Sequence, residues 1–109
     1  MVGAIYFIKM PYSNFSEFKS RPVLIFKIID KNDLLILPLT TNLQRGGVVI
    51  TKDDLKKGMI KKTSVVIVPK ITAIDISLIN NGNFIAQLKT KSYNRVLKEI
   101  CNDFRCEDI

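Results

Sequence analysis

The residues best suited to chemistry are an arginine and a threonine that bracket two neighbouring apolar segments. Arg21 begins the run RPVLIF at residues 21–26, and Thr40 lies at the end of the apolar run that starts at residue 34. The turn-forming residues 30–33 join the two segments, so an antiparallel pair would place the start of one beside the end of the other. A permanent cation beside a hydroxyl suits the binding of phosphate. The sequence therefore predicts a phosphate site formed by Arg21 and Thr40.

Each of these residues also has an ordinary structural interpretation. Arg21 could form an ion pair with Glu17 or Asp30, while Thr40 and Thr41 could hydrogen-bond the backbone of the turn that follows them. Glu17 alone is an ordinary exposed carboxylate, but beside Arg21 it could orient the guanidinium or accept a proton from a ribose hydroxyl. Because a guanidinium keeps its charge, Arg21 suits stabilisation of a phosphorane-like transition state and not general-base catalysis.

The composition predicts one folded domain over residues 1–109 with a basic surface. Hydrophobic residues make up 47% of the chain and the net charge is +7, which suits nucleic acid, an anionic membrane or an acidic protein as partner. Residues 55–74 contain no acidic residue, and their lysines form either a solvated face or a surface for a nucleic-acid backbone. These lysines are Lys56, Lys57, Lys61, Lys62 and Lys70. Tyr12, Phe15 and Phe18 are candidate platforms for base stacking, and Phe15 or Phe18 could equally pack down as an anchor of the loop.

Several kinds of chemistry are excluded by residues that the sequence lacks. There is no histidine, which excludes the Ser-His-Asp triad and the two-histidine ribonuclease scheme. With only Cys101 and Cys106 and no histidine, we predict no metal site and no cofactor, and a buried thiol at Cys101 in preference to a local disulfide. No apolar run approaches the ~20 residues of a membrane span, and a signal-peptide pattern is missing, which favours a cytoplasmic protein.

The hydrophobic pattern predicts a mainly β fold, a small and strongly curved barrel or sheet with one C-terminal helix. Strands are predicted at residues 3–9, 22–29, 34–39, 48–50, 63–69 and 84–88, with a long loop at 10–20 and a capped helical turn at 51–55. The strands at 22–29 and 34–39 are apolar enough to be buried on both faces. The helix is predicted at 92–104, with Thr90 or Ser92 as its cap. Its apolar stripe comprises Val96, Leu97, Ile100, Cys101 and Phe104.

Short motifs follow one another in order along nearly the whole chain. Gly-x-Ile-Tyr-Phe at residues 3–7 is followed by Ser-Glu at 16–17 and by RPVLI at 21–25. LPLTT at 37–41, SVVIV at 64–68 and ITAID at 71–75 precede the C-terminal helix. This ordered set resembles the MazF/PemK family of toxins from type II toxin–antitoxin modules. No single motif is specific, and the resemblance lies in their order and spacing.

The resemblance implies an SH3-like, CcdB-type curved barrel that forms a homodimer. It also implies a metal-independent endoribonuclease that cuts single-stranded RNA, such as mRNA, at short sequences, leaving 2′,3′-cyclic phosphate and 5′-hydroxyl ends. The family's main catalytic pair maps onto Arg21 and Thr40, with Glu17 assisting. The residues expected to bind RNA are Ser16, Phe18, Lys19, Thr41, Gln44, Lys70 and Thr72. An acidic antitoxin is the expected partner, and the toxin–antitoxin complex is expected to bind DNA.

The sequence departs from the family pattern at several positions. Ala4 stands where many members carry an acidic residue, and Lys70 and Thr72 stand where many carry glutamine and arginine. Some members have an Arg-x-Asp pair in the strand at 64–68, where this sequence is apolar, so most of the catalysis is expected from Arg21 and Thr40.

Three other interpretations remain open from the sequence. One is a catalytically inactive or repurposed RNA-binding relative, which the missing arginine at Thr72 favours. A second is a gyrase poison of the CcdB type, whose activity depends on a C-terminal tryptophan that this sequence lacks. The third is a DNA-binding or membrane-surface protein.

Overall fold

The computed structural model describes residues 1–11 and 18–106 of the chain. Apart from short 3-10 turns, these residues form eight strands and one helix. The elements are β1 (Ala4–Pro11), β2 (Phe18–Ile28), β3 (Asp33–Thr40), β4 (Gly47–Ile50), β5 (Leu55–Gly58), β6 (Ser64–Ile67), β7 (Thr72–Asp75), β8 (Phe84–Leu88) and α1 (Thr90–Phe104).

The strands form one antiparallel sheet in the order β4-β6-β3-β2-β1-β8-β5, with β7 also paired to β3. The register shifts where β1 meets β8, where β2 meets β3 and where β5 meets β8. Such bulges bend strands and increase their twist, so the sheet curls. The predicted mainly β fold with a C-terminal helix is confirmed.

The central strands are buried on both faces of the sheet, as their apolar sequences predict. On one face, here called the helix face, Leu24 and Leu37 pack in one core with Val96 and Ile100 of α1. On the other, here called the turn face, a second core is covered in part by the 3-10 turn that follows β7. That core contains Tyr6, Ile8, Val23, Ile25, Leu34 and Ile36, with Ile76 and Ile79 packed against it.

The helix α1 differs from its prediction in how it begins. Its N-cap position is Lys89, which makes no side-chain cap, so the predicted cap by Thr90 or Ser92 is wrong. Ser92 is instead buried, and its hydroxyl donates to the carboxylate of Asp54 at 2.8 Å. That hydroxyl therefore joins the helix to the sheet and does not cap the helix.

The predicted apolar stripe of α1 is only partly buried. Val96 and Ile100 face the core, whereas Leu97 is 40% exposed and Phe104 is 58% exposed. Cys101 is only partly buried, so the prediction of a buried thiol is wrong. Around the helix, residue 104 lies about 60° from the middle of the core-facing positions 96 and 100, residue 97 about 80° and residue 101 about 120°, all on one side of it.

The capped turn predicted at residues 51–55 is confirmed. Thr51 and Asp54 form a capping box around a 3-10 turn, and Asp54 also accepts hydrogen bonds from Ser92 and from Arg95, the latter at 3.0 Å. Burial raises the pKa of Asp54, but the hydrogen bonds from Thr51, Ser92 and Arg95 outweigh it and hold the pKa below its ordinary value.

The sequence pattern missed two strands, β5 and β7, and the first part of β2. β5 and β7, each four residues long, lie where no strand was predicted. The loop predicted at 10–20 is shorter, because β1 continues to Pro11 and β2 begins at Phe18. No helix among the described residues is long and apolar enough to cross a membrane.

Candidate active site

Arg21 lies near the start of β2, on the turn face of the sheet. Its Cα partner across the β1–β2 ladder is Ile8, and Val23 is the next residue of β2 on the same face. Both Ile8 and Val23 belong to the turn-face core, and side chains of directly opposed residues share a face. The Arg21 residue itself is partly buried at the edge of that core.

Thr40 is the last residue of β3 and lies on the same face. The β2–β3 ladder ends at the pair Val23–Pro38, and the same register continued by two residues would set Arg21 opposite Thr40. Leu34 and Ile36 of β3 belong to the turn-face core, and alternation along the strand puts Thr40 on that face too. The structure thus brings Arg21 and Thr40 to one end of one sheet face, in the arrangement on which the predicted phosphate site depends.

The hydroxyl of Thr40 has a structural role in the turn after β3. Its oxygen accepts a hydrogen bond from the backbone N–H of Asn42 at 3.1 Å, and the Asn42 side chain accepts one from the N–H of Gln44 at 3.1 Å. Hydrogen bonding to the backbone of the following turn is the structural role that the sequence also allowed for Thr40. A hydroxyl that accepts one bond still has its own hydrogen to donate, so the contact leaves Thr40 able to donate to a phosphate oxygen.

The alternative ion pair between Arg21 and Asp30 is wrong. Asp30 lies at the far end of β2, where its carboxylate accepts hydrogen bonds from the backbone N–H groups of Asn32 at 2.7 Å and Asp33 at 2.8 Å. The part of β2 from Arg21 to Ile28 alone spans about 23 Å, which separates the two side chains by far more than an ion pair allows. Glu17, the other candidate partner, lies outside the described residues, as do Ser16, Tyr12 and Phe15.

The other residues expected to contact RNA are distributed around this end of the sheet. Thr72 is the first residue of β7 and pairs with Ile36, so it shares the turn face with Thr40 at about 13 Å along β3. Thr41 and Gln44 are exposed in the loop after β3, and Lys70 is exposed between β6 and β7. Phe18 and Lys19 belong to β2 and not to the predicted loop, and their side chains lie outside the described part of the structure.

The lysines of residues 55–74 are exposed, as a basic surface requires. The Lys57 ammonium lies 5.6 Å from the centroid of the Phe84 ring, which places a cation over an aromatic face. Lys61 and Lys62 line a cavity of about 640 Å³. The sequence did not reveal that cavity, because its walls come from several separate segments of the chain.

The cavity opens on the helix face, away from Arg21 and Thr40. Its strand-borne walls include Phe7 and Pro22, which are paired across β1 and β2, and Leu39 of the helix-face core. Phe84 of β8 also lines the cavity and packs against the turn-face core as well. Met59 and Ile60, just after β5, form much of the remainder. Arg21 and Thr40 alternate with Pro22 and Leu39, so the candidate phosphate site and the cavity lie on opposite faces of the same sheet end.

No group of three or more potential metal-ligating His, Cys, Asp or Glu side chains occurs within residues 1–11 and 18–106.

The curled antiparallel sheet and its C-terminal helix form a MazF-like fold. A solved structure with this fold is the Mycobacterium tuberculosis toxin MazF-mt6, which superposes with a TM-score of 0.71 over 94% of this chain and 96% of that chain. The two sequences are 18% identical, a level at which the likeness establishes the fold. No protein-family model matches the sequence, and no curated protein does. The structural neighbour belongs to the same group of toxins that the ordered sequence motifs resemble.

Proposed function

We propose that the protein is the toxin of a toxin–antitoxin pair and that it cleaves single-stranded RNA without a metal ion. The observation that carries the proposal is the position of Arg21 and Thr40 at one end of the turn face, in a chain with the fold of a MazF toxin. A permanent cation and a hydroxyl that can donate a hydrogen bond stabilise the negative charge that develops on a phosphate during its transfer.

In the proposed reaction the ribose 2′-hydroxyl attacks the adjacent phosphorus. The new bond joins the 2′ oxygen to phosphorus, and the bond between phosphorus and the 5′ oxygen breaks, which gives 2′,3′-cyclic phosphate and 5′-hydroxyl ends. Arg21 binds two non-bridging oxygens as negative charge develops, and Thr40 donates to one of them. Glu17 accepts the 2′-hydroxyl proton, and the departing 5′ oxygen takes a proton from solvent.

The residues around this pair suit a single-stranded substrate. Thr72 lies on the same face about 13 Å from Thr40 along β3. Thr41 and Gln44, in the loop after Thr40, offer exposed hydrogen-bond donors near the same end of the sheet, and Lys70 is exposed two residues before Thr72. The exposed lysines of β5 and the segment after it supply attraction to phosphate that does not depend on sequence.

A second candidate function is an RNA-binding relative that does not cleave. Thr72 favours this second function, because many members of the resembled family carry arginine at that position. A threonine there adds no positive charge to the turn face. A CcdB-type gyrase poison is disfavoured, because the chain contains no tryptophan.

The proposed toxin acts in the cytoplasm as a homodimer and is neutralised by an acidic antitoxin. A second copy would cover apolar side chains that are exposed in the single chain, such as Leu97, Phe104 and Val49. The net charge of +7 favours encounter with an acidic partner. Sedimentation equilibrium is expected to give twice the mass of the 12.4 kDa chain, and a monomer at micromolar concentration would contradict the dimer.

Incubation of the purified protein with a long single-stranded RNA in EDTA tests the proposal. We expect discrete cuts whose 5′ ends carry a hydroxyl, because the reaction needs neither water as nucleophile nor a metal ion. Intact RNA in a sample where binding is measured would favour the relative that does not cleave. In that case Thr72→Arg is the first variant to assay for restored cleavage.

A further inference from the structure

The two cysteines of the chain lie close together in sequence at the C-terminal end of α1, and both are free thiols. Cys101 is partly buried in the last turn of the helix, whereas Cys106 is exposed two residues after the helix ends. An exposed thiol with a second thiol beside it is the arrangement found in cysteines that respond to oxidants. The path of the chain between the two residues therefore decides whether they can react with each other.

Arg105 sets that path, because it takes a left-handed backbone conformation between the helix and Cys106. Its φ is 56° and its ψ is 47°, and its N–H donates to the carbonyls of Cys101 and Asn102. Had the helix continued, the Cα atoms of residues 101 and 106 would lie about 9 Å apart, too far for a disulfide. A left-handed residue at this position turns the chain back over the last helical turn. The residue that follows it is thereby brought beside the residue five positions earlier.

The left-handed conformation is a fixed feature of this helix end. Arg105 is the one residue other than glycine with a positive φ within residues 1–11 and 18–106. Because a Cβ atom makes this conformation unfavourable, it persists where hydrogen bonds hold it, and the Arg105 N–H lies 3.2 Å from the Asn102 carbonyl oxygen. The helix end thus holds Cys106 over Cys101 before any reaction takes place.

We propose that Cys101 and Cys106 form an oxidation site, at which a peroxide closes an intramolecular disulfide across the end of α1. A disulfide requires Cα atoms about 4.4–6.8 Å apart, and side chains at these two positions of a left-handed helix end commonly touch. The inference concerns the reactivity of the helix end and does not rest on RNA cleavage. It goes beyond the proposed function.

The reaction proceeds in two steps. The exposed Cys106 thiolate attacks one oxygen of hydrogen peroxide, the O–O bond breaks, and a sulfenic acid and a hydroxide form. The Cys101 thiolate then attacks the sulfenic sulfur, so that an S–S bond forms, the S–O bond breaks and a second hydroxide leaves. The protons that the two thiols lost convert both hydroxides to water. The two thiols are together oxidised by two electrons, and one peroxide is reduced to two waters.

The reaction between neighbours is favoured over reaction with another molecule. Two thiols on one helix end meet at a high effective concentration, because the chain itself holds them together. The sulfenic acid is therefore expected to be captured by Cys101 before a second chain or glutathione reaches it, and before peroxide oxidises it irreversibly. In a reducing compartment a glutathione thiol reopens the disulfide by exchange, so the oxidised state is transient.

Tryptic mapping after treatment of the reduced protein with hydrogen peroxide tests the site directly. Trypsin cuts after Lys98 and Arg105, which leaves Cys101 on residues 99–105 and Cys106 on residues 106–109. Remaining thiols are blocked and the protein is denatured before digestion. We expect monomeric protein whose mass is lower by two hydrogen atoms and whose two cysteine peptides are recovered as one linked species. Dithiothreitol is expected to separate them.

Two variants at Arg105 test whether the left-handed conformation positions the thiols. Glycine adopts this conformation freely, whereas the β-branched side chain of valine disfavours it. In a glutathione redox buffer, the equilibrium constant for the intramolecular disulfide is expected to be about tenfold larger in Arg105→Gly than in Arg105→Val. Intact mass after alkylation of free thiols gives the constant, and urea denaturation checks that both variants are folded.

Each contrary result overturns the site in a recognisable way. A disulfide-linked dimer would show that the thiols of two chains react in preference to neighbours. Glutathione on both cysteines, or a sulfinic acid at Cys106 with Cys101 still a thiol, would show that the two thiols do not meet. Equal constants for the glycine and valine variants would remove Arg105 from the argument. A protein that closes the disulfide but leaves RNA intact would keep this inference and overturn only the proposed function.

Discussion

At the scale of single residues, the proposed cleavage depends on how Arg21 and Thr40 can bind a phosphate. Both lie on the turn face at the end of the β2–β3 hairpin, and the hydroxyl of Thr40 is oriented by the N–H of Asn42 at 3.1 Å. That contact fixes the oxygen and leaves the hydrogen for a second acceptor. Thr40 is therefore expected to act as a hydrogen-bond donor held in place before the substrate arrives.

Thr40→Val removes this donor while keeping the side-chain shape. We expect the cleavage rate at saturating RNA to fall about 100-fold, the usual cost of one donor to a developing oxyanion. Thr40→Ser restores the hydroxyl and is expected to recover most of the rate. The measurement is single-turnover cleavage of a short RNA. Equal rates for the valine and serine variants would show that the hydroxyl serves only the turn.

At the scale of elements, the hairpin of β2 and β3 positions the candidate pair and the Asp54 cluster attaches α1 to the sheet. Asp54 accepts hydrogen bonds from Thr51, Ser92 and Arg95, which join the turn before β5 to the first part of the helix. Arg95 also donates to the carbonyl of Val49 at 2.6 Å, on the edge strand β4. These bonds hold the helix over the core on the helix face.

The lowered pKa of Asp54 makes part of this attachment dependent on pH. A carboxyl whose pKa is lower in the folded state than in the unfolded state adds stability above its unfolded pKa, near 3.8. That stability is lost as the pH falls through the folded value. We expect Asp54→Asn to lower the free energy of unfolding at pH 7 by about 1–3 kcal/mol and to lose less stability than the unaltered protein on acidification below pH 4.

Urea denaturation at pH 7 and at pH 3 measures both effects. The control is Asp53→Asn, which changes the neighbouring exposed carboxylate and should shift stability by less than about 0.5 kcal/mol. If the two variants had the same stability at pH 7, the helix would not depend on the Asp54 cluster.

At the scale of the whole molecule, the exposed lysines and the two faces of the sheet determine where RNA is expected to bind. RNA is expected to bind along the turn face, with its backbone attracted by exposed lysines such as Lys56 and Lys70, whereas Lys61 and Lys62 line the cavity on the helix face. The attraction between lysines and RNA phosphates does not depend on base sequence, and it weakens the binding of RNA as the salt concentration rises. The strength of that dependence measures how many phosphates the protein neutralises.

Lysine removal is therefore expected to change the salt dependence of RNA binding. In Lys56→Ala/Lys70→Ala the slope of log affinity against log salt should become shallower by about one to two units, since each neutralised phosphate of a single strand contributes about 0.7. The control Lys91→Ala/Lys98→Ala on α1 should leave the slope unchanged. Filter binding of a non-cleavable oligonucleotide between 50 and 300 mM salt provides the measurement, and identical slopes for both variants would contradict the assignment of this surface.

Much of the fold follows from local sequence patterns, and the exceptions have physical causes. The strand at Phe84–Leu88 and the capped turn at Thr51 were predicted because alternation and capping are local. β5 and β7 were missed because each is four residues long and is held by pairing with β8 or β3, which a local pattern does not contain. The partial exposure of Leu97 was missed because the periodicity of a helix does not show how wide the surface beneath it is.

The candidate site was predictable to the extent that a hairpin determines it. The turn brings the start of β2 and the end of β3 to the same end of the sheet, but the register at the turn would set Arg21 opposite Thr41. The bulge between Ile25 and Lys27 shifts that register by one residue toward Thr40, and the sequence did not predict the bulge. The cavity was not predictable, because Phe7, Leu39 and Met59 are distant in sequence and meet only through the tertiary fold.

The most direct test of the account is RNA cleavage by Arg21→Ala compared with the unaltered protein and with Lys98→Ala, an exposed lysine of α1. All three are assayed in EDTA on the same single-stranded RNA, with folding checked by urea denaturation and RNA affinity by filter binding. We predict that Arg21→Ala loses at least about 1,000-fold in cleavage rate while its RNA affinity changes only a few-fold, and that Lys98→Ala cuts normally. A folded Arg21→Ala protein that cuts RNA as fast as the unaltered protein would contradict the central claim.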